Sequence, residues 1–104
     1  MPKEVVIRET RDPDDRQVVL LAGVWHEKIV PKHLELAEEV DAVMLAVRSA
    51  EHMEHDPIHR ERQRYFARGV GPSRWLLVVV SYEQVPARVI SAFAYRKDPP
   101  TWEA

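Results

Sequence analysis

Residues 75–82, Trp-Leu-Leu-Val-Val-Val-Ser-Tyr, constrain this chain more than any other segment. Apolar side chains fill successive positions instead of alternate ones. A strand sends successive side chains to opposite faces, so such a run needs cover on both. It is far too short to span a bilayer. It reads as a central strand, and the rest of the chain must supply two edges and two covering layers.

The neighbouring segments supply the edges. Residues 62–68 alternate, with Arg62, Arg64, Phe66 and Arg68 on one face and Gln63 and Tyr65 on the other. Residues 69–73, Gly-Val-Gly-Pro-Ser, make a loop rich in turn formers, and 83–86, Glu-Gln-Val-Pro, make a second connection. Residues 87–95 form the last strand. Short connections between adjacent strands imply an antiparallel three-strand meander. Residues 51–56 fit a short strand ahead of it, ended by Asp56-Pro57.

The first half supplies the cover. Residues 3–8 alternate weakly, as an edge strand does. Residues 11–16, Arg-Asp-Pro-Asp-Asp-Arg, form a turn. Residues 17–21 form a short strand or lead directly into a helix over 22–30, where Trp25 and Ile29 lie one turn apart. Pro31 lacks an N–H and clashes with a preceding helical turn, so it separates two helices. The second starts near Lys32 or His33 and ends at Ser49. Leu36, Ala37, Val40, Val43, Met44 and Val47 recur at helical spacing, while Glu35, Glu38, Glu39, Asp41 and Arg48 fall mainly opposite. The expected class is α+β: two N-terminal helices on one face of an antiparallel sheet of four to six strands. The 104 residues make one domain, with 1–16 weakly ordered or an edge strand and 97–104 an irregular tail.

Composition excludes several chemistries. Cysteine is absent, which removes disulfides, thiol nucleophiles and cysteine-ligated zinc. Residues 1–16 are charged rather than apolar, so no signal peptide and no membrane association are expected, and the cytoplasm is the default. A net charge of −2 hides an asymmetry. Residues 33–56 hold Glu35, Glu38, Glu39, Asp41, Glu51, Glu54 and Asp56 against Arg48 alone. Residues 57–75 hold Arg60, Arg62, Arg64, Arg68 and Arg74 against Glu61 alone. Such a bipolar surface binds anions on one side and repels them on the other, or is simply two solvated faces.

Three groupings bear on chemistry. His26 and His33 are candidate general bases or acids. A place near the start of the second helix would keep His33 neutral, because the positive helix end disfavours imidazolium. Arg62, Arg64 and Arg68, joined by Arg74 across the turn, can hold phosphate in bidentate fashion. Tyr65 and Tyr95 can stack on bases. Equally, the arginines can be charges that protect an edge strand from aggregation. Finally, His52, His55 and His59 have spacings that would ligate zinc or nickel from one helix face, but Pro57 interrupts such a helix.

In order along the chain, Trp25-His26, Lys32-His33, Arg64-Tyr65, Leu76-Leu-Val-Val-Val80 and Arg88-Val-Ile-Ser-Ala92 resemble the small nuclease-like proteins of the barnase–EndoU–colicin–RelE group. That group includes phage-associated domains and BrnT-type toxins. The resemblance covers roughly residues 17–96. It implies a RelE- or barnase-like fold and metal-independent RNA cleavage, by a toxin that a cognate antitoxin neutralises. It implies His26, His33, Arg64 and Ser91 as catalytic residues. Lys32, Arg62, Tyr65, Arg68, Arg74 and Tyr95 then serve as RNA-binding residues. The expected partners are RNA, an antitoxin and a second copy of the chain, with no cofactor and no metal. A non-catalytic domain of the same fold, binding nucleic acid or an acidic protein, is the alternative.

Overall fold

The computed structural model describes residues 2–68 and 74–103, and in it the apolar run becomes a strand, β5 (Trp75–Ser81), buried at every position. In chain order the other strands are β1 (Val6–Arg11), β2 (Gln17–Leu21), β3 (His52–His55), β4 (Arg62–Arg68) and β6 (Ala87–Tyr95). They form one six-stranded sheet in the order β1-β2-β6-β5-β4-β3. β3 through β6 are an antiparallel meander, as their short connections require. The loop expected at 69–73 lies outside the described residues.

The sheet is mixed, not antiparallel throughout. β2 runs parallel to β6 over the pairs Val18–Ala87 and Val19–Arg88 only. Sequence reading could not find this pairing, because it joins segments separated by the helices and three other strands. Beyond Arg88 the helical segment packs on β6. The hairpin of β1 and β2 turns at Asp15, whose φ of 65° is a left-handed conformation that Asp tolerates.

The helices differ from expectation in their boundaries. A π-helical turn spans Val24–Ile29, with the Val30 N–H bonded to the Trp25 carbonyl. α1 (Val30–Lys32) follows without a break. Pro31 therefore does not separate two helices. It falls just past the last wide-turn bond, where no donor is required of it. A short 3-10 turn covers Leu34–Leu36, and α2 (Val40–Arg48) starts well after His33. Strands β1 and β2 precede all of these, so the helices are not N-terminal to the sheet.

α2 packs on β1, β4 and β5 through Val43, Met44, Ala46 and Val47. These meet Val18, Leu20, Trp25, Ile29, Leu36, Tyr65, Leu76, Val78, Val80 and Val89 in the main core. Each fully buried aliphatic side chain there contributes about 1.5–3 kcal/mol. The other side of the sheet, here the far face, carries a smaller cluster. Phe66, Trp75, Leu77 and Val79 are covered by Ile90, Phe93, Tyr95 and Trp102. The tail thus has no regular structure yet packs its indole edge-on against Trp75 at 4.9 Å. No helix among the described residues is long and apolar enough to cross a membrane.

Candidate functional site

The strand register sorts the arginines. Residues directly opposite in an antiparallel pair point to the same face. On the far face this gives four cross-strand rows: Arg62, Ser81 and Arg88; Glu54, Arg64, Val79 and Ser91; His52, Phe66, Leu77 and Phe93; Arg68, Trp75 and Tyr95. The predicted face of β4 is correct.

A β-bulge decides what β6 contributes. Val79 pairs with Ser91 while Val80 pairs with Val89, so Ile90 is an extra residue. Strict alternation would put Arg88 and Ser91 on opposite faces. The bulge puts both on the far face, with Arg88 one row from Ser91. Neighbouring strands lie about 4.8 Å apart, so Arg62 and Arg88 sit on either side of Ser81, about 10 Å from each other across β5.

His33 reaches this surface from the helical side. α1 ends there, with the His33 N–H bonded to the carbonyls of Ile29 at 2.9 Å and Val30 at 3.2 Å. Its ring lies 5.6 Å from that of Phe93, two residues along β6 from Ser91. The long-helix N-terminus expected beside His33 is absent, because α2 starts at Val40. The neighbour instead is Glu35, whose carboxylate lies 3.6 Å from Nδ1.

Most of the arginine stripe is already paired. Arg64 bonds Glu54, which also accepts the Thr101 hydroxyl at 2.7 Å and meets His52 Nε2 at 3.2 Å. Burial pushes the Glu54 carboxyl up, but the Thr101 and His52 hydrogen bonds and the Arg64 charge outweigh it and hold it below the usual range. Arg68 stacks over Trp75 at 4.6 Å and meets Glu51 at 3.7 Å. Arg74 meets Asp98 at 3.3 Å. Arg62 has only a loose contact with Glu61 at 3.9 Å, and its Nε is buried without a hydrogen-bond partner among the described residues. Arg88 has no ion pair among the described residues, although Glu4 and Glu27, the latter paired with Lys3, line a cavity with it.

The other expected residues divide. Tyr95 is on the far face, half-buried against Phe66 at 5.8 Å. Tyr65 is not: it faces α2 and is 1% exposed, so it cannot stack on a base from solution. The alternation that put the arginines together put Tyr65 on the other side. His26 is exposed beside a cavity lined by Lys3, Gly23 and Glu27, and no described contact joins it to His33, Arg64 or Ser91. Lys32 is exposed on α1. The histidine cluster also disperses. β3 sends His52 to the far face and His55 to the opposite one, so they cannot share a metal ion from one helix face.

A second polar assembly lies on the helix face. Asp12, 4% exposed, accepts hydrogen bonds from the Tyr82 hydroxyl at 2.7 Å and Arg16 Nε at 2.7 Å. Tyr65 and Tyr82 hydroxyls meet at 2.6 Å. Burial raises Asp12, but the hydrogen bonds from the Arg16 backbone, Tyr82 and the Arg16 guanidinium hold it below the carboxylate range. Burial and the hydrogen bonds with Tyr65 and Asp12 push the Tyr82 phenol strongly up. Residues 11–16 read as a turn, and nothing in that run signals that one of its acids is buried. No protein-family model, curated protein or solved structure matches the chain.

Proposed function

We propose that the far face is the RNA-cleaving surface of a small metal-independent endonuclease of the barnase–EndoU–colicin–RelE kind. It would act in the cytoplasm as a toxin held by a cognate antitoxin. The observation that carries this reading is the bulge at Ile90, which brings Arg88 and Ser91 to the face that His33 reaches. RNA cleavage requires a base for the 2′-hydroxyl proton, cations for the charge that develops on the phosphate, and an acid for the 5′-oxygen that leaves as the 2′-oxygen bonds phosphorus; water supplies that last proton here. His33 is the base, Arg62 and Arg88 hold phosphate, Ser91 orients it, and Tyr95 offers an aromatic surface. Arg64, committed to Glu54, holds β3 to β4 in the row that ends at Ser91.

The test is expression of wild type and a His33→Ala/Ser91→Ala variant in bacteria, with growth and total RNA integrity as readouts and thermal melts as a folding control. Arrested growth and cleaved RNA with the wild type alone are expected. Intact RNA with both, from folded protein, rejects the enzyme.

One observation favours a non-catalytic interaction domain instead. Arg64, Arg68 and Arg74 each meet a carboxylate, which leaves the stripe nearly neutral. That reading expects salt-sensitive binding of RNA or an acidic protein with no cleavage.

A further inference from the structure

We propose that the cavity between the β1–β2 turn and the β3–β4 hairpin binds a single nucleotide, its phosphate at Arg60 and His55 and its base inside. The cavity measures about 360 Å³, within the range of small-ligand sites. It lies on the helix face, away from His33 and Ser91. It rests on the RNA-cleavage reading only in taking RNA as the source of the nucleotide.

The interior suits a base. The Asp12 carboxylate can only accept, so Tyr82 donates to it and Tyr65 donates to Tyr82. That relay leaves the Tyr65 hydroxyl in the wall, at 1% exposure, and out of reach of a ligand. The nearby Gln63 amide offers both a donor and an acceptor. A nucleobase edge carries the complementary mixture. Arg16 is fixed by Asp12 and lies 4.1 Å from the centroid of the Tyr82 ring, a flat guanidinium of the kind on which bases stack.

The mouth suits phosphate. His55 and Arg60 also line an adjoining cavity of about 280 Å³, so they mark the divide between the two. Arg60 forms no ion pair among the described residues, where neighbouring Glu61 contacts His59 and Arg62. Guanidinium forks match phosphate oxygens. Asp14 and Glu61 also line the cavity, which disfavours a polyphosphate and favours one phosphate group.

The test is calorimetric titration of the full chain with uridine 5′-monophosphate, uridine, inorganic phosphate and a glutamate-rich peptide. Saturable binding of the monophosphate, with a Kd of about 1 mM or tighter, is expected. Arg60→Gln and Gln63→Ala should each weaken it, Arg60→Gln by about tenfold or more, while Lys97→Gln should not. No saturable binding of the monophosphate overturns the proposal. So does equal binding by inorganic phosphate, which would leave a bare anion site, or tighter binding by the peptide. Binding is read without cleavage, so this outcome stands whatever the assay of the far face returns.

Discussion

Glu54 and Arg64 sit directly opposite each other on β3 and β4, and the guanidinium hydrogen-bonds the carboxylate on the far face. Their side chains are 7% and 20% exposed, so neither is free for an outside partner without leaving the other bare. The arginine that sequence pattern marks as a phosphate clamp is therefore a structural one. Arg64→Ala should lower stability by about 1–3 kcal/mol, because a buried acid loses a donor. Chemical denaturation measures this. A loss below a few tenths of a kcal/mol would mean that Arg64 is available for ligand after all.

The free cations of the far face should carry the salt dependence of RNA binding. Arg88→Ala should reduce the slope of log K against log salt by about 0.7, the value for one single-strand phosphate contact. Arg74→Ala should change it less, because Asp98 already neutralises that charge. Filter binding of a short RNA across salt concentrations compares the two. Equal slopes would place phosphate somewhere other than beside Ser91.

Acid should unfold the protein in a defined direction. Asp12 and Glu54 have folded-state pKa values below their unfolded ones. Their contribution is present above the unfolded values, about 4, and is lost as pH falls through the depressed folded values. Melting temperature should hold steady down to about pH 5 and then fall. The double variant Asp12→Asn/Glu54→Gln should melt lower at neutral pH and show a flatter acid limb.

The phenols give the opposite sign. Tyr65 and Tyr82 are raised by burial, with the hydrogen bonds that surround Tyr82 adding to its shift. Their contribution is present below the unfolded value, about 10, and is lost only as pH rises through the raised folded values. In a spectrophotometric titration their ionisation should appear together with alkaline unfolding. Ionisation of either in folded protein near pH 10 would contradict the relay to Asp12.

What was legible in the sequence is what local pattern controls. The run at 75–82 announced a central strand, and alternation placed Arg62, Arg64, Phe66 and Arg68 on one face. The stripe through Val43, Met44 and Val47 found α2. Its start was missed because Leu36, buried through a 3-10 turn, fell by chance in helical phase with it. The pairing of β2 with β6 is long-range and leaves no local mark. The bulge at Ile90 is equally silent, yet it decides which residues share a face with His33. Asp12 shows the same limit in another form: residue type predicts exposure, and only the fold brings Tyr82 and Arg16 to satisfy a buried acid.

The histidines separate the two readings of the far face. Two described histidines reach the far face: His33, whose ring lies against Phe93 near Ser91, and His52, which Glu54 and Thr101 hold on β3; His26 lies beside Lys3 and Glu27, and His59 sits exposed before β4. A general base contributes about 10²–10⁴ in rate, so His33→Ala should slow single-turnover cleavage of a short RNA at least about 10²-fold. His26→Ala and His59→Ala should change it little. The His33 ring also packs on Phe93, so a thermal melt must accompany each rate. His33→Asn serves as a second variant that keeps much of the side-chain volume and loses the base. Slow cleavage by folded His33→Asn supports the assignment. Wild-type cleavage by folded His33→Asn would remove His33 from the chemistry and return the base to His26, despite its place in the fold.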